Sequence, residues 1–391
     1  MTNATGSPVP PVGGAAATYF DAVSTEPLHP AARETLLACL DQGFADPLRL
    51  HGPGRNARLL LDNAREVVAS ILGARPDEIT FTSSGTAAVH LGVLGLLLGR
   101  TRDSRLMLHS AVEHSSVMAA GDWWTRHFGG TSTSAPVDAT GRLDLEALTS
   151  LLAADPVGLL AVQAANPEVG TEQPVTDAAG LAAAHGVPVF TDAAAAVGRT
   201  DLPEGWAAAA ASAHKWGGPA GVGVLVVRKG ARWRAPFPTD DRTDPRVAGF
   251  ENVPAILASA AALQAVVAER DEVSTRQRSL IDRLRSELAS IPDVDVVGDP
   301  ARRLPHVLTF SCLYVDGETL VTELDKRGFA VASGSACTAS SLEPSHVLAA
   351  MGALTHGNVR VSLTRDSSSA DVDRLLTVLP GVVEELRQRN R

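Results

Sequence analysis

The sequence reads Ala211-Ser-Ala-His-Lys215-Trp-Gly-Gly-Pro-Ala-Gly-Val-Gly223, and the apolar run Val224-Leu-Val-Val227 follows at once. A lysine between a histidine and a glycine-rich turn, just before a buried strand, is poorly explained as a solvated surface residue. A lysine that acts as nucleophile and proton carrier needs a lowered pKa, which burial beside a cationic group provides. The glycines allow the backbone to approach a ligand closely. The stretch therefore predicts a buried strand beside a reactive lysine, Lys215.

A second polar position lies upstream of this lysine. Val187-Pro-Val-Phe190 is typical of a short buried strand, and Thr191-Asp192 follows it. Open α/β sheets place ligand-binding side chains at the carboxyl ends of their strands. An isolated aspartate at such a place more often begins a turn or caps a helix. The local pattern leaves both interpretations of Asp192 open.

A phosphate site is indicated where another strand ends. Ile79-Thr-Phe-Thr82 predicts a short strand, and Ser83-Ser-Gly85-Thr86-Ala-Ala88 predicts the start of a helix. The free backbone N–H groups at a helix start, together with the Thr86 hydroxyl, suit a phosphate. A plain strand-to-helix turn capped by serine or threonine is the alternative.

The chain has three cysteines, and Cys337 is unlike the other two. It lies in Ser333-Gly-Ser-Ala-Cys337-Thr-Ala-Ser-Ser, a run of small polar residues typical of a solvated loop, where a thiol is exposed and can react. Cys39 falls in a helical pattern and Cys312 follows a strand-like run, so both are interpreted as packing residues. Since no two cysteines have metal-ligand spacing, no metal site is expected.

Taken together, these segments closely resemble the cysteine desulfurases, which are pyridoxal-phosphate enzymes of the class V aminotransferase family. The length of the Cys337 loop is similar to that of the long-loop branch typified by the iron–sulfur cluster desulfurases. The resemblance covers nearly the whole chain beyond the amino-terminal tail. It implies a fold-type I architecture and a homodimer with active sites at the subunit interface.

The resemblance also implies a role for each matching residue. Lys215 would form the Schiff base with the cofactor, and Asp192 would pair with its protonated pyridine nitrogen. His114 would stack on the ring and assist proton transfer. Asn166 would contact a cofactor oxygen and the substrate carboxylate, which Arg360 would grip with its planar fork. The residues implied around the cofactor phosphate are Gly85, Thr86, Ser212 and His214.

The reaction implied is removal of sulfur from L-cysteine. Lys215 would move the Cα proton, and the Cys337 thiolate would attack the substrate sulfur, giving L-alanine and a Cys337 persulfide. The persulfide would pass to a protein acceptor, such as an iron–sulfur scaffold or a thiolation or sulfur-modification protein. A selenocysteine lyase or another class V lyase or transaminase is the alternative enzyme. A non-catalytic scaffold that only binds partners is the alternative outside catalysis.

Four residues, at three places in the chain, depart from the resembled pattern. Ala195 stands where the family usually has a glutamine that bonds the phenolic oxygen of the cofactor. Phe250 stands where a threonine reaches the phosphate bound in the partner subunit, and Ala22-Val23 also differs from the usual residues. Each neutral hydrogen bond contributes only about 0.5–1.5 kcal/mol, so cofactor binding is expected to survive. A specialised branch of the family is consistent with these changes.

The length of 391 residues predicts more than one domain. We expect residues 1–17 to form a flexible tail and residues 18–260 to form a large cofactor-binding domain with a mostly parallel sheet. Strand-like runs alternate there with helical ones, which favours an α/β fold. Residues 261–391 are expected to form a small α+β domain carrying the Cys337 loop.

Composition narrows the classes of partner. The formal net charge is −10 at pH 7, which argues against a general nucleic-acid-binding surface. The apolar runs look too short or too interrupted to span a bilayer, so no membrane contact is expected. The first residues have neither a basic start nor a sustained apolar core, and a cytoplasmic location is therefore expected.

Overall fold

The computed structural model describes residues 17–239, 244–247, 249–333 and 344–389. The helices are α1 Pro30–Gln42, α2 Gly52–Ile71, α3 Gly85–Gly99, α4 Ser115–Phe128, α5 Leu145–Ala154, α6 Val175–Ala184, α7 Val253–Ala289, α8 Gly317–Lys326, α9 His346–Ala350 and α10 Ser369–Arg389. The strands are β1 Thr18–Tyr19, β2 Ile79–Thr82, β3 Leu106–Ser110, β4 Thr131–Ala135, β5 Val157–Ala161, β6 Val189–Asp192, β7 Ala208–Ser212, β8 Gly223–Val227, β9 Val294–Val297, β10 Val307–Cys312, β11 Phe329–Ala330 and β12 Asn358–Ser362.

A seven-stranded sheet organises the first two thirds of the chain. Its strand order is β2-β8-β7-β6-β5-β3-β4, and only β8 runs antiparallel to its neighbours. The central strands β5, β7 and β8 are buried along their whole length, as expected for a sheet covered by helices on both faces. The expected α/β fold with a large, mostly parallel sheet is confirmed.

The glycine that opens β8 allows a close contact between two elements of this sheet. A Cβ atom on Gly223 would lie 2.1 Å from the carbonyl oxygen of Ser84. Ser84 is the N-cap of α3, and its hydroxyl accepts a hydrogen bond from the N–H of Ala87 at 3.0 Å. The absence of a side chain at Gly223 therefore lets β8 lie directly against the start of α3.

A smaller unit contains the other strands. The antiparallel sheet β12-β10-β9 packs in one hydrophobic cluster with the last turns of α7 and with α8 and α10. Phe20 belongs to the same cluster, because Thr18–Tyr19 pairs in parallel with Phe329–Ala330. The start of the described chain thus packs with its carboxyl-terminal part. The proposed domain boundaries at residues 17 and 260 stay predictions.

Helix α7 connects the two units. Its first half packs against α1 and α2, and Leu280, Ile281 and Leu284 from its second half enter the smaller cluster. By length and composition, one window of this helix could cross a membrane, with a mean hydropathy of 1.3. The expectation that every apolar run is too short is therefore wrong for α7. Half of that window is buried inside the protein, which is typical of a core helix.

Candidate active site

The predicted site residues converge on one cavity at the carboxyl edge of the large sheet. The cavity has a volume of about 230 Å³. Its lining includes Gly85, Thr86, His114, Asp192, Ser212, His214 and Lys215. These residues come from four separate segments of the chain, which the strands of the sheet bring to a common edge. Of the sequence-predicted residues within the described segments, only Asn166 and Arg360 do not line it.

One end of the cavity offers donors for an anion. Helix α3 begins at Gly85, so its first N–H groups have no partner within the helix, and Gly85 and Thr86 line the cavity. A Cβ atom on Gly85 would lie 2.7 Å from the Cβ of Ser212, so a larger residue would push this serine away. Burial, and then the charge of Lys215, lower the pKa of His214 to about 4. His214 is therefore neutral, and its Nδ1 lies 3.2 Å from the Thr25 hydroxyl.

The lysine and the aspartate lie at the ends of neighbouring strands. Lys215 is carried by a short 3-10 turn, Ala213–Trp216, that follows β7. Its Nζ donates a hydrogen bond to the carbonyl oxygen of Val23 at 2.6 Å. Asp192 ends β6, is 7% exposed, and accepts a hydrogen bond from the N–H of Ala194 at 2.9 Å. One oxygen of Asp192 is thereby oriented by the backbone, and the carboxylate lines the cavity.

His114 is held by the start of helix α4. It is the N-cap residue, and its Nδ1 accepts a hydrogen bond from the N–H of Ser116 at 3.2 Å. The Ser116 hydroxyl is 2.8 Å from the same nitrogen. Because Nδ1 is an acceptor, the proton of the neutral imidazole lies on Nε2. The ring orientation is thus set by α4 and does not depend on a ligand.

Asn166 is engaged with the backbone around it. Its Oδ1 accepts hydrogen bonds from the N–H groups of Glu168 and Val169 at 2.8 and 2.9 Å. Its Nδ2 donates to the carbonyl oxygen of Val112 at 3.0 Å. The side chain therefore shapes the turn after β5, and its neighbours Ala165 and Pro167 line the cavity in its place. The role in cofactor contact stays a prediction.

Arg360 is buried in β12 and already has a carboxylate partner. Its Nη2 contacts Asp21 at 2.8 Å and the Ser24 hydroxyl at 2.6 Å. Its Nη1 donates to the carbonyl oxygen of Pro167 at 3.4 Å. The expectation that an arginine in an apolar strand needs a partner holds, but the partner within the described chain is Asp21. The role in substrate binding stays a prediction.

Sequence reasoning overlooked three buried polar residues beside the cavity. Glu113 is fully buried next to His114, and burial raises its pKa to about 8. Glu168 lies near Arg360, and burial raises its pKa to about 7. Gln163 lines the cavity. The adjacency of Glu113 and His114 was the available signal, because a carboxyl beside a functional histidine is often structural support.

The departures from the resembled pattern fall in different places. Ala195 lines the cavity, as expected for a position next to a cofactor. Val23 contributes its backbone carbonyl to Lys215, so the identity of its side chain does not alter this contact. Phe250 is 57% exposed, away from the cavity that holds Lys215.

The two described cysteines are poor nucleophiles. Burial raises the pKa of Cys312 to about 12, and burial also raises the pKa of Cys39. A thiol reacts as the thiolate, so neither favours sulfur chemistry at neutral pH. Cys337 lies outside the described residues.

The residues present fit pyridoxal 5′-phosphate. A helix start with a glycine, a threonine and a serine suits a phosphate, and the buried Asp192 carboxylate suits a protonated ring nitrogen. Lys215 is within the same cavity and supplies the amine that such a cofactor needs. The missing side chain at Gly85 lets the start of α3 lie directly against Ser212, so both contribute to this end of the cavity.

Comparison with known proteins agrees with this geometry. Residues 18–375 match the family described as Aminotransferase class-V. An IscS-like cysteine desulfurase of Mycobacterium tuberculosis is 38% identical over 95% of this chain and 97% of its own length. The cysteine desulfurase NifS of Azotobacter vinelandii is 35% identical over 94% of this chain and 93% of its own. A solved NifS-like protein superposes with a TM-score of 0.86 at 28% identity, covering 94% of this chain and 100% of that one.

Proposed function

The chain belongs to the cysteine desulfurases of the class V aminotransferase family, and from this membership we propose how its own residues carry out the reaction. It is a pyridoxal-phosphate-dependent cysteine desulfurase. The observation that carries the proposal is the convergence of Lys215, Asp192, His114 and the start of α3 on one cavity. The cofactor, when bound, supplies an electron sink conjugated to the substrate Cα.

Each residue around the cofactor site has a separate role in the proposed reaction. The first turn of α3 with Thr86 and Ser212 would hold the phosphate, and the negative charge of Asp192 would keep the ring nitrogen protonated. The Nζ of Lys215 would hold the cofactor at rest and, once released from it, would take the Cα proton of L-cysteine. His114 presents its Nε2–H, because α4 occupies its Nδ1. Arg360 orients the substrate carboxylate, which requires sharing the guanidinium with Asp21.

Sulfur transfer is assigned to Cys337. Its thiolate attacks the sulfur of the substrate, the C–S bond breaks, and L-alanine and a Cys337 persulfide result. The raised pKa values of Cys39 and Cys312 support this choice. The persulfide sulfur then passes to a thiol of an acceptor protein, such as an iron–sulfur scaffold or a thiolation protein, in the cytoplasm.

We further propose that the protein acts as a homodimer. Seven large apolar side chains on α1, α2 and the segment between them are exposed, namely Leu37, Leu40, Phe44, Leu48, Leu50, Leu59 and Leu60. Such a concentration of exposed apolar residues is typical of an interface. Leu48 and Phe250 line the same cavity, so Phe250 would adjoin this interface. Sedimentation at twice the chain mass of 40.6 kDa supports a dimer, and sedimentation at that mass contradicts it.

The catalytic assignment is tested with Lys215→Ala. This variant should retain the fold and lose both the visible cofactor absorbance and alanine production, because the amine is the covalent anchor and the proton carrier. Purified wild-type protein should be coloured and form alanine from L-cysteine. A colourless wild-type protein that cannot be loaded would favour the scaffold alternative. Retained covalent cofactor absorbance in Lys215→Ala would refute the lysine assignment.

A further inference from the structure

The order in which the chain adds strands to the large sheet changes direction between the adjacent strands β3 and β5. Strands β3 and β5 pair in parallel, but β3 has β4 on its other side and β5 has β6. The segments that leave their carboxyl ends therefore diverge and open a crevice, the usual place for a ligand in such sheets. Glu113 follows β3, and Gln163 follows β5. Both lie at the base of this crevice, next to the cavity that holds Lys215.

Glu113 joins the two sides of the crevice. Its side chain is fully buried, and Oε1 accepts a hydrogen bond from the N–H of Gln163 at 2.7 Å. The side chain of Gln163 returns a bond, because its Nε2 donates to the carbonyl oxygen of Val112 at 2.5 Å. The carbonyl oxygen of Glu113 accepts from Nε2 of His346 at 2.9 Å. The residue just before His114 is thus tied to β5 and to α9.

The Glu113 carboxyl lies near a second buried carboxyl, that of Asp192. Burial, opposed by the hydrogen bond from the Gln163 N–H and assisted by the negative charge of Asp192, raises the pKa of Glu113 to about 8. The other titratable groups around this segment are His346, which contacts the Glu113 carbonyl, His109 beside His346, and His90 beside His114. Burial lowers the pKa values of His109 and His90, so neither supplies a positive charge at neutral pH.

Only one of the two carboxyls has access to a positive partner. Asp192 lines the cavity, where it can face a protonated ring nitrogen. Glu113 does not line the cavity, and its Oε2 has no hydrogen-bond partner among the described residues. A buried charge without a partner is costly, and two neighbouring carboxylates in such a place do not both ionise.

We propose that Glu113 is a positioning residue that acts as a neutral carboxylic acid, joining the ends of β3 and β5, fixing His114 over the cavity and leaving the negative charge to Asp192. The inference rests on the proposed cofactor binding at this cavity. A neutral acid keeps the acceptor for the Gln163 N–H without adding a second negative charge beside the ring. The protein thereby holds His114 in place while the charge that tunes the ring comes from a single residue.

The test compares Glu113→Gln with Glu113→Leu in the full-length protein. Glutamine retains the acceptor and the neutral charge, whereas leucine fills the space without either polar group. Glu172→Gln is the control, because Glu172 is a half-buried glutamate outside the cavity whose pKa burial also raises. The readouts are the dissociation constant for pyridoxal phosphate and the pH midpoint of the cofactor absorbance.

For Glu113→Gln and for the control, we expect a dissociation constant within about twofold of wild type and an unchanged pH midpoint of the cofactor absorbance. For Glu113→Leu, loss of one buried hydrogen bond should weaken binding about fivefold or more. A midpoint shift of about one pH unit in Glu113→Gln would show that Glu113 is charged in the wild type and overturn the proposal. Wild-type binding by Glu113→Leu would overturn the positioning role.

The outcomes separate this proposal from the assigned function. A wild-type protein that binds no pyridoxal phosphate would overturn both. A wild-type protein that binds the cofactor, with a shifted midpoint in Glu113→Gln, would overturn only the role of Glu113. If Glu113→Leu does not fold, Glu113→Gln alone still decides the charge state, and equal binding by Glu113→Asp would then overturn the positioning role.

Discussion

Arg360 binds one carboxylate, that of Asp21, and the proposed function gives it the substrate carboxylate as a second. Its guanidinium bonds Asp21, Ser24 and the Pro167 carbonyl, so it is oriented before any substrate arrives. A lysine in its place offers a point charge and cannot make these bonds together. We expect Arg360→Lys to raise KM for L-cysteine about tenfold or more, with a smaller effect on kcat.

Steady-state kinetics of alanine formation check this, with Arg276→Lys on the exposed side of α7 as the control. An unchanged KM in Arg360→Lys would mean that the arginine serves only its pair with Asp21.

Glu113 should make the stability of the protein depend on pH. Its folded-state pKa of about 8 lies above the ordinary value of 4.5. The contribution of the neutral Glu113 carboxyl to the free energy of unfolding is fully present below pH 4.5 and is lost as the pH rises through 8. Glu113→Gln stays neutral throughout. The free energy of unfolding of Glu113→Gln minus that of wild type should therefore rise by more than about 1 kcal/mol between pH 5 and pH 8.5.

Denaturant unfolding of both proteins at the two pH values measures this difference. A difference that stays constant with pH would show that the pKa of Glu113 is not raised in the folded protein.

Some of these residue roles could be read from the sequence and others could not. Lys215 stands in a distinctive local pattern, whereas Asp192 and His114 were predicted from the family resemblance, and the structure brings all three to one cavity. The pairing of Arg360 with Asp21 joins residues 339 positions apart, which no local pattern reveals. The burial of Glu113 likewise depends on the neighbouring strand β5, because its partner is the backbone of Gln163.

At the scale of elements, the contact between β8 and α3 sets the position of the helix start that lines one end of the cavity. Alanine at Gly223 would bring a Cβ to 2.1 Å from the Ser84 oxygen, so either the strand or the helix start must move. We expect Gly223→Ala to destabilise the protein by about 1–3 kcal/mol and to weaken pyridoxal-phosphate binding.

Gly180→Ala is the matched control, because Gly180 lies inside α6 with no atom within 4 Å of the added Cβ. It should stabilise the protein by about 0.5–1 kcal/mol and leave cofactor binding unchanged. Thermal unfolding and equilibrium dialysis measure both effects. A Gly223→Ala protein as stable and as tightly binding as wild type would contradict the close contact.

Several elements could be predicted from their patterns, but not all of their ends could. The short strand predicted over Ile79–Thr82 has those bounds in the structure. The strand expected over residues 187–190 instead runs from Val189 to Asp192, because pairing with β5 and β7 decides where it lies. The pairing of β1 with β11 is also a long-range contact, and two residues carry too little pattern to predict it.

At the scale of the whole molecule, the proposed reaction needs both the cavity on the large sheet and a thiol in the carboxyl-terminal part of the chain. In the proposed reaction the cavity binds L-cysteine, and the sulfur needs a nucleophile. The raised pKa values of the described cysteines support the proposal that this nucleophile is Cys337. The net charge of −10 favours transfer to a protein partner over direct contact with a nucleic acid.

The most direct test is to incubate the loaded enzyme with one equivalent of L-cysteine and to locate the added sulfur by mass spectrometry of intact protein and peptides. The account predicts one extra sulfur atom on the Cys337 peptide and an equal amount of L-alanine. Cys337→Ser should still bind the cofactor and L-cysteine but carry no added sulfur, because a hydroxyl is a far weaker nucleophile toward sulfur than a thiolate. An undiminished persulfide on Cys39 or Cys312 in that variant, or no alanine from the wild type, would contradict the account.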